Sequence, residues 1–273
     1  MHMSFTKMQG LGNDFVVIDA ITQSIVMTPE LAKTMCDRHY GIGCDQILLV
    51  TQTQNKNADF GYQIFNADGS EAFQCGNGAR CVGLFIQQKK LSDKKKLRLE
   101  TKNNHILTLS IQNDHQIAVG MGKANFDPLS LPFITEQKAA PYNLLIEHKE
   151  IIFDVVSIGN PHAIITTKEL NLIEIENIGK KISMHPAFPD SVNVGFMKIV
   201  SPNEITLAVY ERGAGMTQAC GSGATAAVAI GHKKKILGEN VMVNQIGGSL
   251  YVRCSEKELF LTGPAKFVFE GIF

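Results

Sequence analysis

The sequence predicts an α+β fold of two pseudo-symmetric domains, each a sheet wrapped around one buried helix, facing each other across a cleft. Two stretches read as copies of each other. Phe65-Asn66-Ala67-Asp68-Gly69 leads to Cys75-Gly76-Asn77-Gly78-Ala79-Arg80, and Tyr210-Glu211-Arg212-Gly213 leads to Cys220-Gly221-Ser222-Gly223-Ala224-Thr225. In each copy a polar residue, Asn66 or Glu211, stands nine positions before the cysteine. The rest of the chain keeps the same register: Asn13 and Asn160 lie 147 positions apart, as do Gln46 and Asn193, while Asn66/Glu211 and Cys75/Cys220 lie 145 apart. After each cysteine the apolar residues cover most of a helix circumference, the pattern of a helix inside a domain.

The elements follow in order. Phe5–Gln9 reads as a strand ending at Gly10-Leu11-Gly12-Asn13-Asp14, and Phe15–Asp19 as a second, β-branched one. Thr28-Pro29-Glu30 opens a helix running to about Arg38, with Thr28 as N-cap and Pro29 at the first helical position. Strands follow at Asp45–Val50 and Tyr62–Phe65, and then the helix after Cys75, ending in Gln87-Gln88-Lys89-Lys90. Strand-like runs at Leu97–Thr101, His105–Ile111 and Gln116–Met121 complete the first half. Pro128, Pro132 and Pro141 mark Asn125–Pro141 as a linker. The pattern then restarts: Val155–Asn160, Ala163–Ile165, a helix around Ile175–Ser183, Ser191–Phe196, Ile205–Tyr210 and the helix after Cys220. Four strands close the chain, at Val241–Asn244, Leu250–Cys254, Glu258–Thr262 and Lys266–Phe269. The lysine runs after both cysteine helices read as solvated helix ends. Residues 1–119 and 120–265 are the two expected halves.

Composition narrows the function classes. With 26 basic and 26 acidic residues among 273, the formal charge is zero, so no global field recruits nucleic acid or an anionic membrane. No apolar run reaches the roughly 18–20 residues of a membrane span, and no signal-peptide core is evident, so a cytoplasmic location is expected. Six cysteines without zinc-type spacing read as free thiols, with no metal site. Cys36, Cys44, Cys81 and Cys254 read as small buried hydrophobes.

Cys75 and Cys220 differ because of where they stand. A cysteine just before a helix meets unpaired backbone N–H groups, whose partial positive charge favours the thiolate. The following glycines let a ligand approach, and the same N–H groups suit a carboxylate. One such turn suggests a nucleophile. Two suggest a pair of acid–base groups: one sulfur removes an α-proton while the other delivers a proton to the opposite face. That is stereoinversion without a cofactor. On local grounds Asn13 and Asn160 are turn residues, His162 a loop histidine and Glu211-Arg212 a surface pair.

Six blocks, in order, carry a resemblance along essentially the whole chain: Gly10-Leu11-Gly12-Asn13-Asp14-Phe15, Gly41-Ile42-Gly43-Cys44-Asp45-Gln46, Phe65-Asn66-Ala67-Asp68-Gly69-Ser70, Cys75-Gly76-Asn77-Gly78-Ala79-Arg80, Gly159-Asn160-Pro161-His162, and Glu211-Arg212-Gly213 through Gly223. The chain resembles the diaminopimelate epimerases, cofactor-independent enzymes that interconvert LL- and meso-diaminopimelate for lysine and peptidoglycan synthesis. The resemblance implies that Cys75 and Cys220 are the proton donor–acceptor pair. It implies that Gly76, Asn77, Gly221 and Ser222 present helix N-termini to the carboxylate at the reacting centre. Asn13, Gln46, Asn66, Asn160, Asn193, Glu211 and Arg212 would line the pocket, and His162 and Glu211 would tune the thiols. It further implies mostly antiparallel, barrel-like sheets, a last strand (266–273) returning to the N-terminal half, and a homodimer. Met216 departs from the family's usual Glu, Ser222 stands where Thr is common, and Phe269 replaces a Tyr that supports the dimer interface in some relatives. The competing expectations are a proline- or hydroxyproline-type racemase, which also uses two cysteines, and a thiol redox protein. Phenazine-type isomerases share the duplicated fold but lack the cysteine pair.

Overall fold

A computed structural model describes residues 2–72, 75–112, 116–255 and 258–273. The chain forms two compact units, Met1–Gly120 with Thr262–Phe273, and Met121–Leu261. Among the described residues no helix is long and apolar enough to cross a membrane.

The first unit begins with the antiparallel pair β1 (Ser4–Gly10) and β2 (Asn13–Asp19). Helix α1 (Pro29–Cys36) then carries the chain to β3 (Gln46–Thr51), parallel to β2. Thr28 caps α1 by accepting from Leu31 N, which ties up one of the free N–H groups of its first turn. Next come β4 (Phe60–Asn66), antiparallel to β3, and the two-residue β5 (Glu71–Ala72). Helix α2 (Gly76–Gln88) follows, then β6 (Lys96–Glu100) parallel to β4, β7 (Ile106–Ile111) and β8 (Gln116–Gly122).

Side-chain alternation sorts this sheet into two faces. Val16, Ile18, Ile47 and Leu49 pack with Ala32, Met35 and Cys36 of α1. Leu48 points the other way, against Gly78 of α2. Strands buried on both faces read as unbroken apolar runs, as Ile47–Val50 does. Residues Asn77 to Ile86 of α2 are all buried, as expected of a central helix.

The second unit repeats this order. β9 (Tyr142–Ile146) forms a hairpin with β10 (Lys149–Ser157), which pairs antiparallel with β11 (Pro161–Thr166). Helix α3 (Leu172–Ser183) leads to β12 (Asn193–Ser201), parallel to β11. Then come β13 (Glu204–Glu211), the short β14 (Gly215–Met216), and α4 (Gly221–Lys233), followed by β15 (Asn240–Gln245) parallel to β13, β16 (Gly248–Cys254) and β17 (Leu259–Pro264). The match extends to register: Ile47 faces Phe65 as Val194 faces Tyr210, and Phe15 faces Gln46 as His162 faces Asn193. The final strand, β18 (Lys266–Ile272), lies antiparallel to β1.

Three details differ from the sequence expectations. The proline-marked stretch 125–141 is no linker. Asn125 bridges to Ser157, and Leu131 and Phe133 are buried in the second unit, where Phe133 stacks on Phe188 at 4.6 Å. Proline removes backbone donors but does not stop neighbouring apolar side chains from entering a core. The first helix stops at Cys36, because Asp37 turns out of helical geometry and Gly41, Ile42 and Gly43 fold back onto it. The lysines at the end of α4 are also not merely solvated: Lys234 pairs with Asp154 at 2.6 Å, and Lys233 lies 3.9 Å over the Phe126 ring.

Candidate active site

Each unit carries one cysteine at the entrance to its central helix. Cys75 is the N-cap of α2, in extended geometry, and its Sγ accepts from Gly78 N at 3.2 Å. Cys220 is the N-cap of α4, and its Sγ accepts from Gly223 N at 3.3 Å. Sulfur thus occupies the place that a Ser or Asp side chain usually fills. Glycines at both third positions make this contact possible. A Cβ on Gly78 would sit 2.5 Å from the Tyr62 hydroxyl oxygen, and one on Gly223 would sit 2.9 Å from Val209 and 3.2 Å from Cys220 Sγ.

The sequence-expected residues of the first half gather around Cys75. Asn13 Oδ1 lies 4.0 Å from its sulfur and accepts from Asn77 Nδ2 at 3.3 Å. Asn13 is held in turn by Asp45, which accepts its amide at 2.7 Å and is anchored by Arg38 at 2.8 Å. Gln46 Nε2 donates to Asn66 Oδ1 at 2.8 Å across β3 and β4, and Asn66 donates to Ser70 Oγ at 3.0 Å. Gln46 Oε1 is buried without a partner among the described residues, an acceptor left for a ligand N–H. The Tyr62 hydroxyl donates to the Cys75 carbonyl at 3.4 Å.

The second half gathers the corresponding set. Ser222 Oγ lies 3.6 Å from Cys220 Sγ and accepts from Asn160 Nδ2 at 3.2 Å. Asn160 Oδ1 lies 3.0 Å from His162 Nε2. His162 is fully buried on β11, not on a loop, and burial together with the charge of Arg212 pushes its pKa down to about 3. A neutral ring then donates from Nε2 to Asn160. Asn193 donates to the Pro161 carbonyl at 2.9 Å and accepts from Arg212 N at 3.0 Å. The Arg212 guanidinium donates to the Asp190 carbonyl at 3.0 Å, and Glu211 accepts from Thr217 Oγ1 at 2.5 Å. Glu211 is half-buried and Arg212 exposed, and among the described residues the two are held by these bonds and not by each other. Gln245, which sequence reasoning passed over, holds Cys220 N at 2.8 Å.

The helix end does not decide the state of Cys220. Burial raises the Cys220 pKa well above the usual thiol value, and the Glu211 carboxylate raises it further, outweighing the Gly223 N–H. The expectation that a helix N-terminus favours thiolate therefore fails at Cys220, where desolvation and a nearby anion win. Elsewhere, Cys36 and Cys44 are buried with their sulfurs 3.4 Å apart, and Cys81 is buried in α2. Met216 lies opposite Tyr210 on β14, and Phe269 packs edge-on to Phe5 at 6.0 Å.

The chain matches the diaminopimelate epimerase family over residues 5–127 and 155–268. It is 49% identical over 280 residues to a diaminopimelate epimerase of Psychrobacter sp. (strain PRwf-1), spanning 100% of this chain and 95% of that one. It is 45% identical over 273 residues to the diaminopimelate epimerase of Teredinibacter turnerae, at 99% of each. Among solved structures, the fold matches a Bacillus anthracis phenazine biosynthesis protein of the PhzF family with a TM-score of 0.73 at 17% identity, over 100% of this chain and 99% of that one. It matches a hydroxyproline epimerase from Agrobacterium vitis with a TM-score of 0.71 at 16% identity, over 99% and 92%. These last two share the duplicated architecture; the full-length identities of 45–49% carry the narrower assignment. The chain belongs to the diaminopimelate epimerase family.

Proposed function

We propose that this protein inverts one α-carbon of LL-2,6-diaminopimelate to give the meso isomer, serving lysine and peptidoglycan precursor synthesis in the cytoplasm. The observation that carries the reading is the pair of cysteines, each capping a buried helix at the same register of a duplicated unit, in a chain of this family. Cys75 and Cys220 each contribute one proton-transfer group to a single α-carbon. Removing the α-proton moves negative charge onto the substrate carboxylate. The N–H groups of Gly76, Asn77, Gly221 and Ser222, at two helix N-termini, suit that charge. Protonation by the second sulfur completes the inversion, so acid–base chemistry suffices without a cofactor.

The distal amino-acid group calls for acceptors around an ammonium and donors around a carboxylate. Gln46 Oε1, Asn13, Asn66, Asn160, Asn193 and Glu211 supply the amides and the acid, and Arg212 can hold a carboxylate bidentately. A cyclic imino acid has no second zwitterion to use these groups, which disfavours the hydroxyproline-type alternative. His162, neutral and bonded to Asn160, and Glu211, beside Cys220, tune the second thiol. A homodimer is supported by β18, where Phe267, Val268, Phe269 and Ile272 are exposed next to β1.

The test uses reduced, purified protein with LL-diaminopimelate and, separately, trans-4-hydroxy-L-proline in deuterated water, followed by proton NMR. Loss of the α-proton signal with formation of the meso isomer, and no change in hydroxyproline, is expected. Inversion of hydroxyproline alone would overturn the substrate assignment.

A further inference from the structure

Arg80 follows Cys75 by five positions on α2, about 7.5 Å further along the helix axis. Helical side chains lean toward the N-terminus, so a long one at this position reaches back over the first turn. The surroundings agree: a Cβ placed on Gly10 would meet both Arg80 Nη2 at 3.2 Å and the Asn77 carbonyl at 3.7 Å, so the guanidinium and the first turn of the helix border the same point on β1. Gly10 is glycine because any side chain there would press on that group.

Arg80 is fully buried, and only its Nε has a partner, the Pro264 carbonyl at 3.2 Å. Neither terminal nitrogen finds an acceptor among the described residues. Burying a guanidinium without a carboxylate is costly, and such a charge persists where an anion elsewhere in the site answers it. The groups that counter its burial are Cys81 and Cys75. Cys81 stays a thiol, its pKa pushed up to about 12 by burial even with Arg80 beside it. Cys75 remains.

The duplication sharpens the contrast. At the position equivalent to Arg80, α4 carries Thr225, which spends its hydroxyl on the Gly221 carbonyl. At the position equivalent to Glu211, β4 carries the neutral Asn66. The Cys75 half therefore has a buried cation and no acid at the paired site, whereas the Cys220 half has an acid and, among the described residues, no buried cation. The other groups near Cys75 do not reverse this. Tyr62 is fully buried, and burial raises its pKa. Lys7 on β1 and Asp14 on β2 pair with each other at 2.7 Å, Asp19 binds its own turn, and β3 and β7 carry no titratable residue.

We propose that Arg80 is a positioning charge that holds Cys75 as the resting thiolate while Cys220 rests protonated. This deepens the two-thiol reading and rests on it, with the order of events set as proton abstraction by Cys75 and delivery by Cys220 for the isomer whose α-proton faces Cys75.

The experiment is site-resolved alkylation by iodoacetamide as a function of pH, read by peptide mass spectrometry, on wild type, Arg80→Gln and Arg80→Lys. Midpoints are compared, since restricted access of the reagent slows alkylation without moving its midpoint. In the wild type, Cys75 should titrate below Cys220. Arg80→Gln should raise the Cys75 midpoint by at least one pH unit, a tenfold loss of thiolate at fixed pH below it, and leave Cys220 unmoved. Arg80→Lys should keep most of the wild-type midpoint. An unchanged Cys75 midpoint in folded Arg80→Gln, or Cys220 titrating first in the wild type, would overturn the proposal. If Arg80→Gln does not fold, the wild-type order and the Lys variant decide. The readout needs no turnover, so a failed epimerase assay and a failed Arg80 effect are separable.

Discussion

At the scale of single residues, the chemistry depends on contacts of a few tenths of an ångström. Gly223→Ala adds a methyl 3.2 Å from Cys220 Sγ and 2.9 Å from Val209. Alanine gains about 1 kcal/mol of helix propensity over glycine, which offsets part of that crowding. Stability should therefore change by no more than about 1 kcal/mol in urea unfolding, while kcat falls by roughly 10- to 100-fold because the sulfur is displaced. His162 makes a separate prediction. Its folded pKa, about 3, lies below the unfolded value near 6.5, so its contribution to stability is complete above pH 6.5 and is lost as pH falls toward 3. The first unit has Phe15 at the equivalent position. His162→Phe should flatten the pH dependence of the urea midpoint between pH 6.5 and 3; an unaltered slope would show that other groups govern it. Both cysteines and the asparagines were legible because they repeat. His162 was legible only through the family motif, since nothing local in Asn160-Pro161-His162 reveals that the ring is buried.

At the scale of elements, sequence periodicity identified the four α-helices of the described residues and the longer strands that form the duplicated sheet. It failed where tertiary packing decided the outcome. β9 follows three prolines and is half-exposed, with only Tyr142 and Ile146 buried, so its alternation is weak. The two-residue strands β5 and β14 have no period at all and exist because hairpins after β4 and β13 turn back before each cysteine. Caps were more readable. Thr28-Pro29 announced α1, but the cap of α3, Asn171, accepts from both Ile173 N and Glu174 N at 3.1 and 3.4 Å. Asn171→Ala should cost about 1 kcal/mol in chemical denaturation and leave epimerase activity intact, since α3 carries none of the proposed site residues. A loss of activity without loss of stability would mean that α3 does more than support β12 and β13.

At the scale of the whole molecule, two topologically equivalent units differ at a handful of positions, and the proposal for Arg80 assigns the two thiols their resting states from those differences. On that proposal, Asn66 against Glu211 and Arg80 against Thr225 set cysteines of the same helix-cap geometry in opposite electrostatic surroundings. The exposed apolar side chains of β18 belong to this scale as well. Val268→Asp should shift the protein from dimer to monomer in analytical ultracentrifugation, and a monomeric wild type would remove the dimer from the account. The central claim is that two thiols act on one carbon, and isotope tracing at low conversion tests it most directly. In deuterated water the thiol that delivers hydrogen carries solvent deuterium, and the abstracted proton stays on the other sulfur. The account predicts meso product carrying deuterium at the inverted carbon, recovered LL substrate still carrying protium, and no inversion in either Cys75→Ala or Cys220→Ala. Product that retains the original protium, or inversion that survives loss of one cysteine, would contradict it.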